Sequence, residues 1–467
     1  MKKICIIIIL CLIAVFIWRD RTGAEQGAPV KNSFLKDLPE VKKHNLKNDL
    51  KILYLENDLP VTVIYASISY GKLHETAANA GISDVVVRAL QISGTSLYPG
   101  NTMYQKLESI GGQIQIAAGW ETIDIEIKVL SEHSTLAFSI LGDLIRNPLF
   151  NETDLQSAKK LVLEKIIRDR DKPEEAGVLK LREIIFGGTG YGSVPGEKSI
   201  SGIDLSAVKE LWKRYATGNN ITLAVSSSMD NNAINRFAEK EFSILGKGIK
   251  EYYTFMPEKA LSDIKSSSGV IYLIPRELEQ ATIYIGTLSP DIKYDGNYAL
   301  YLMNYILGGG SFTSRLMYEI RVKRGLAYSV FSVLRNRRNT GVFISFVQTR
   351  NETVREALTI MNENINKMQK EPVTDEELKW AKESIKNSYI FRFNTIYDIL
   401  GNYIEMEYNG LDADYYKKYL NNINKVTGSD VLKESRNLFG QGLVTVIVGK
   451  KDLEKELSSF GQVVICK

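Results

Sequence analysis

Cysteine and histidine are the scarce residues of this chain, three of each in 467 positions. Cys5 and Cys11 lie inside an N-terminal apolar run and Cys466 at the other end, so neither a disulfide framework nor a Cys-x-x-Cys zinc site can be built. His44, His74 and His133 are at least 30 positions apart and form no ligand-spaced pair. Each reads as a surface or loop residue rather than a ligand. No Gly-x-Ser-x-Gly elbow is present, and Gly308-Gly309-Gly310 is not followed by Gly-Lys-Ser/Thr, which removes elbow-type hydrolases and phosphate loops. A charge excess is lacking as well: 59 Lys and Arg against 55 Asp and Glu leave +4. That is far from the basic surplus a phosphate-tracking surface needs, so nucleic acid is excluded as a partner. With 44% hydrophobic and 24% charged residues, what remains is an ordinary folded chain of about two to four domains.

Residues 1–24 read as a signal peptide or an N-terminal membrane anchor. Met1, Lys2 and Lys3 precede the apolar run Ile4 to Trp18, and Thr22-Gly23-Ala24 offers a cleavage site. Arg19 and Arg21 argue instead for retention as an anchor. Either way the expected location is outside the cytoplasm, periplasmic or anchored in the inner membrane facing the periplasm.

The rest of the chain uses one unit twice, with a period of about 220 residues. Val61–Ser69 and Gln280–Leu288 alternate as strands. Hairpin patterns follow in 111–127 and 327–346, then a helix pattern in 136–145 and 354–361. Next come helices with Thr153 and Thr374 as N-caps, and each half closes on an apolar strand, 221–225 and 443–448. The expected fold is α+β: two homologous αβ domains, each a mixed or antiparallel sheet covered by helices, facing each other across a chamber. The expected boundaries are 45–246, a linker at 247–268, and 269–467.

Gly81-Ile-Ser-Asp-Val-Val-Val-Arg-Ala-Leu-Gln-Ile-Ser-Gly-Thr95 in the first half, Leu307-Gly-Gly-Gly-Ser-Phe-Thr-Ser-Arg-Leu316 and Glu319-Ile-Arg-Val-Lys-Arg-Gly-Leu-Ala-Tyr-Ser329 in the second carry a family likeness. The chain resembles the insulinase/pitrilysin-type zinc peptidases, more closely their short bacterial and mitochondrial-processing-peptidase branch, from about Asn45 to Lys450. Active members read His-x-x-Glu-His in the first helix, two histidines on one face holding zinc and the Glu polarising its water. In this sequence the ligand positions hold Asp84 and Arg88, the base position Val87, and the third ligand position Lys165, with Glu164 one residue away. A cationic Arg88 and Lys165 would repel a divalent ion. Asp84 and Arg88, four apart, read as an ion pair on an exposed helix.

The resemblance further implies that Arg324 and Tyr328 hold a scissile carbonyl, as hydrogen-bond donors able to stabilise an oxyanion, and that Gly308, Gly309 and Gly310 line a peptide chamber. The expected function is a subunit without zinc in an exported heterodimeric metallopeptidase. No cofactor belongs to this chain; zinc and the intact His-x-x-Glu-His belong to a homologous partner, and the substrate is a peptide or unfolded protein. The alternatives are a proteolytically silent scaffold or peptide-binding member of the fold, and a self-sufficient peptidase with an unrecognised metal site.

Overall fold

The computed structural model describes residues 38–466 apart from 189, 249–252, 254, 256 and 311. The N-terminal apolar run therefore lies outside the described residues. Among the described residues, twelve strands form two six-stranded mixed sheets. The first has the order β1-β2-β6-β3-β5-β4, with β1 Lys42–Asn45, β2 Lys51–Glu56, β3 Val61–Ile68, β4 Gln113–Ala118, β5 Ile123–Leu130 and β6 Ile221–Ser227. The second has the order β12-β7-β11-β8-β10-β9, with β7 Val270–Pro275, β8 Gln280–Ser289, β9 Ala327–Asn336, β10 Gly341–Arg350, β11 Val444–Gly449 and β12 Gln462–Ile465. Five strands correspond one to one, and each hairpin is antiparallel as its alternation predicts. The sheets differ in the added edge: β1 joins antiparallel from the N-terminal side, β12 parallel from the C-terminal side.

One face of each sheet packs under its own half's helices. Val85, Val86, Leu90, Phe138, Leu141 and Trp212 form the core of the first half, and Leu300, Met303, Val354, Leu358, Met361 and Leu438 that of the second. The other face is covered by a helix from the opposite half. Helix Pro173–Ile185 places Leu181 and Ile185 against Tyr284, Val446 and Val448 of the second sheet. Helix Ile396–Asn409 places Leu400 and Ile404 against Leu53, Val63 and Ala224 of the first. This exchange explains why β8 is buried on both sides almost throughout. The approach is close: a Cβ on Gly177 would meet the Tyr284 ring at 2.3 Å, and one on Gly286 would meet Leu181 and Ile185 at 3.0 Å.

Details inside the repeat agree beyond the strand order. Lys159 donates to the Ser201 and Ile203 carbonyls at 2.8 and 2.7 Å, and Lys382, at the matching place, donates to Asn424 and Val426 at 2.9 and 2.6 Å. The caps are less symmetric than the sequence implies. Thr374 caps its helix in a reciprocal box with Glu377, but in the first half the cap is Asn151, not Thr153. The segment expected to be a plain linker at 247–268 holds helix Pro257–Ser267, whose Ala260 and Ile264 are buried beside the exchanged Pro173–Ile185 helix. No helix among the described residues is long and apolar enough to cross a membrane.

Candidate functional site

Helix Ile82–Ser93 begins after Gly81, whose φ of +94° and contact with Ile200, 2.5 Å from where a Cβ would stand, demand glycine. Its first turn is capped from outside by buried Glu75, whose carboxylate accepts from the backbone N–H of Gly81 at 2.8 Å and of Ser83 at 3.0 Å. Burial pushes this carboxyl up, and those hydrogen bonds act against the shift. The helix lies against helix Glu152–Arg170, so the frame on which the resemblance would mount a metal is present.

The side chains on that frame do not suit a cation. Val87 is packed into the core at 7% exposure, and Arg88 is exposed. Asp84 does not pair with Arg88 as its spacing implies. It bonds the Lys72 ammonium at 3.0 Å, each side chain 28% exposed. Lys165, 58% exposed, pairs with Asp169 at 3.0 Å, and Lys172 meets the same carboxylate at 2.7 Å. Burial acts to raise the Asp169 carboxyl, but bonds from the two lysines outweigh it and hold the group below its usual range. Among the described residues no cluster of three His, Cys, Asp or Glu is placed to hold a metal. A zinc ion at Asp84 would meet a carboxylate already committed to Lys72, with Val87 in the core and cations at the other two positions, and the site does not fit it. His74 is not the simple loop residue expected: it is half-buried, its ring stacks on Tyr70 at 5.1 Å, and its Nδ1 accepts from the Gly71 N–H at 3.3 Å.

In the second half, the two marked motifs sit on π-helical turns, Tyr305–Gly309 and Met317–Val322. The wide turns are closed by Gly310 N–H to the Tyr305 carbonyl at 2.8 Å and Lys323 N–H to the Tyr318 carbonyl at 2.9 Å, both five residues back. Such turns are rare and concentrate at functional sites. The glycines have an internal reason. A Cβ on Gly308 would lie 2.7 Å from the Ser332 backbone nitrogen in β9, and one on Gly310 would lie 2.6 Å from Trp380. Both are buried and only Gly309 is exposed, so the run is shaped first by packing within its own domain. Arg315 fixes the end of the segment through two bonds to Glu377, at 2.7 and 2.8 Å.

Arg324 is engaged by carboxylates: it bonds the Glu319 carbonyl at 2.9 Å and the Glu319 carboxylate, and lies 3.5 Å from Glu356. Tyr328 occupies a bulge in β9, where Ser329 pairs with Gln348 and Ala327 with Thr349. The bulge leaves the residue 79% exposed. The guanidinium over the Tyr328 ring is that of Arg321, 4.5 Å from its centroid and 5.0 Å from that of Phe312. Sequence reasoning passed over Arg321; a second arginine, seven residues before the tyrosine, was the available signal. Gln348 of β10, beside the bulge, donates to Glu174 at 3.1 Å, which ties the strand paired with that of Tyr328 to the chain just beyond the Lys165 helix. A cleft of about 480 Å³ opens at this seam, lined by Pro173, Glu279, Gln348, Arg350 and Glu352.

Two sheets of matching strand order, clasped by exchanged helices, define a duplicated αβ fold. A model of the insulinase family, peptidase family M16, matches residues 55–193, and a model of the peptidase M16 inactive domain matches residues 202–385. The chain belongs to this family. It is 25% identical over 422 residues to an uncharacterized zinc protease of Rickettsia felis, covering 87% of this chain and 97% of the relative. It is 25% identical over 394 residues to the non-peptidase homolog YmxG of Helicobacter pylori, covering 81% and 87%. The fold matches the crystal structure of a peptidase M16 inactive domain from Pseudomonas fluorescens with a TM-score of 0.78 at 22% identity, over 88% of this chain and 98% of that one.

Proposed function

We propose that this chain is the zinc-lacking subunit of an exported, heterodimeric M16 metallopeptidase. A homologous partner with an intact His-x-x-Glu-His supplies zinc and the water-activating Glu; this chain supplies half of the peptide chamber and a donor pair for the scissile carbonyl. The observation that carries the reading is the contrast between the halves. The metal positions Asp84, Val87, Arg88 and Lys165 are spent on ion pairs, core or solvent, whereas Tyr328 stands exposed on a bulge beside a guanidinium. A phenol O–H so presented can donate to an oxyanion. The motif resemblance points to Arg324 as its companion; the contacts favour Arg321, with Arg324 and Glu319 bracing the turn. Export, to the periplasm or to an inner-membrane anchor facing it, rests on the N-terminal run.

Reconstitution with the partner tests the proposal. Tyr328→Phe and Arg321→Ala should each lower turnover by about 10- to 1,000-fold while unfolding stays unchanged, and Arg324→Ala should do less. Co-purification from the host followed by mass identification should return a chain bearing the motif. The second reading, a proteolytically silent scaffold, is favoured by the non-peptidase name of the Helicobacter relative. A co-purified complex that binds peptides but cleaves none would select it.

A further inference from the structure

The misfit at the metal frame goes further than missing ligands. Lys72 is anchored at its backbone to the tip of the β4–β5 hairpin: its N–H donates to the Gly119 carbonyl at 3.3 Å, and that of Leu73 to the Trp120 carbonyl at 2.8 Å. Gly71 lets the two segments touch, since a Cβ there would fall 2.7 Å from the Trp120 and Glu121 backbone. From this fixed base the side chain reaches back to Asp84 in the first turn of helix Ile82–Ser93, with its ammonium 5.7 Å from the Trp120 ring. The ammonium thus ties the helix start to the hairpin tip while the Asp84 carboxylate stays at the helix end that favours an anion.

We infer that Lys72 is a built-in cation that takes the electrostatic place of a metal at Asp84, so that an intramolecular contact closes this frame to divalent ions. An ion approaching Asp84 must displace an ammonium whose backbone is held by the hairpin tip. The inference concerns this chain alone and needs no partner, so its test stands apart from that of the composite peptidase.

The experiment is zinc titration by calorimetry on the full chain carrying Arg88→His and Lys165→Glu, which with native Asp84 offers three ligands of zinc-binding type. With Lys72 retained, zinc binding should be weak; adding Lys72→Met should tighten it by about 10- to 100-fold. Equal affinity in the two proteins, or no measurable binding in either, overturns the inference. Should the substituted chains fail to fold, a double-mutant cycle decides it in the otherwise native protein. Lys72→Met and Asp84→Asn should each raise the unfolding constant by about 2- to 5-fold, and the double variant no more than either single one. Effects that multiply in the double variant would show that the two groups do not act as a pair.

Discussion

Because each half covers the other's sheet, damage to an exchanged helix should be felt by both. Leu181 is the sharpest probe: it belongs to the first half, has no exposed surface, and packs on Gly286 at the centre of the second sheet. Leu181→Ala removes buried methyl groups and leaves a cavity whose walls are two different parts of the chain. The expected loss is about 2 to 5 kcal/mol. With an unfolding entropy of about 2.1 cal/mol/K per residue, a chain of this length loses about 1 kcal/mol per kelvin near Tm, so Tm should fall by about 2 to 5 °C. The assay is scanning calorimetry combined with hydrogen exchange on β3 and β8, one strand from each half. A single transition should move as a unit, and exchange should accelerate in both strands. Two separate endotherms, with only the one reporting β8 displaced, would refute the claim that helix exchange makes the halves one cooperative body.

Three further expectations follow from single contacts. Glu121, at the β4–β5 tip, is buried and accepts from the Tyr191 hydroxyl at 2.5 Å while Arg337 stands 3.9 Å away. Burial raises its carboxyl above the usual value of 4.5, against Arg337 and Tyr191, which favour the charged form. Its protonated form is therefore the better folded one: the stability it contributes is full below the ordinary carboxyl range and is lost as pH rises through the raised value. Glu121→Gln should flatten urea midpoints over that window, and an unchanged slope would contradict the assignment. Lys382→Met should cost about 1 to 3 kcal/mol by urea unfolding, since it strands the Asn424 and Val426 carbonyls; Lys159→Met should cost about the same, and a large disparity would count against their equivalence. Gly308→Ala forces a Cβ against the β9 backbone and should cost about 1 to 3 kcal/mol. Gly309→Ala, whose nearest contact is the Asn304 side-chain nitrogen, should cost less in the same assay.

The strands and hairpins of both halves were legible because alternation is a local signal, and β3, β5, β8 and β10 alternate or run apolar where the sequence says they should. The helix exchange was not. Nothing in Leu400 or Ile404 says which sheet their apolar stripe will cover, and the choice is made by long-range packing. The metal positions could be aligned from flanking glycines, but the partner of Asp84 could not. Spacing of four proposes Arg88, whereas Lys72, twelve residues upstream, reaches Asp84 because the hairpin tip holds its backbone. The surroundings of Tyr328 show the same limit. Two arginines precede Tyr328, and only the structure separates the one held by Glu319 from the one over the ring. The caps divide along this line too: Thr374 was readable because Thr-x-x-Glu carries a reciprocal bond, whereas Asn151 outcompetes Thr153 through a backbone geometry that sequence leaves undetermined.

The four positions at which the family resemblance would place a metal site are not equally hard to change, and their environments rank them. Arg88 and Lys165 are exposed on helices whose buried stripes lie elsewhere, so exchanging them with other polar residues disturbs little. Asp84 is intermediate, because its charge is matched by Lys72 and removing either partner leaves the other half-exposed. Val87 is different in kind. At 7% exposure it is part of the core that helix Ile82–Ser93 builds with Leu90 and Val86, and a carboxylate there would carry a desolvation cost with no cation within the core to offset it. Tyr328 and Phe312 in the second half meet no such barrier, since both are exposed and answer to whatever they touch rather than to the core. A duplicated fold held together by exchanged helices can commit a helix position of one half to its interior and leave surface residues of the other half free to vary.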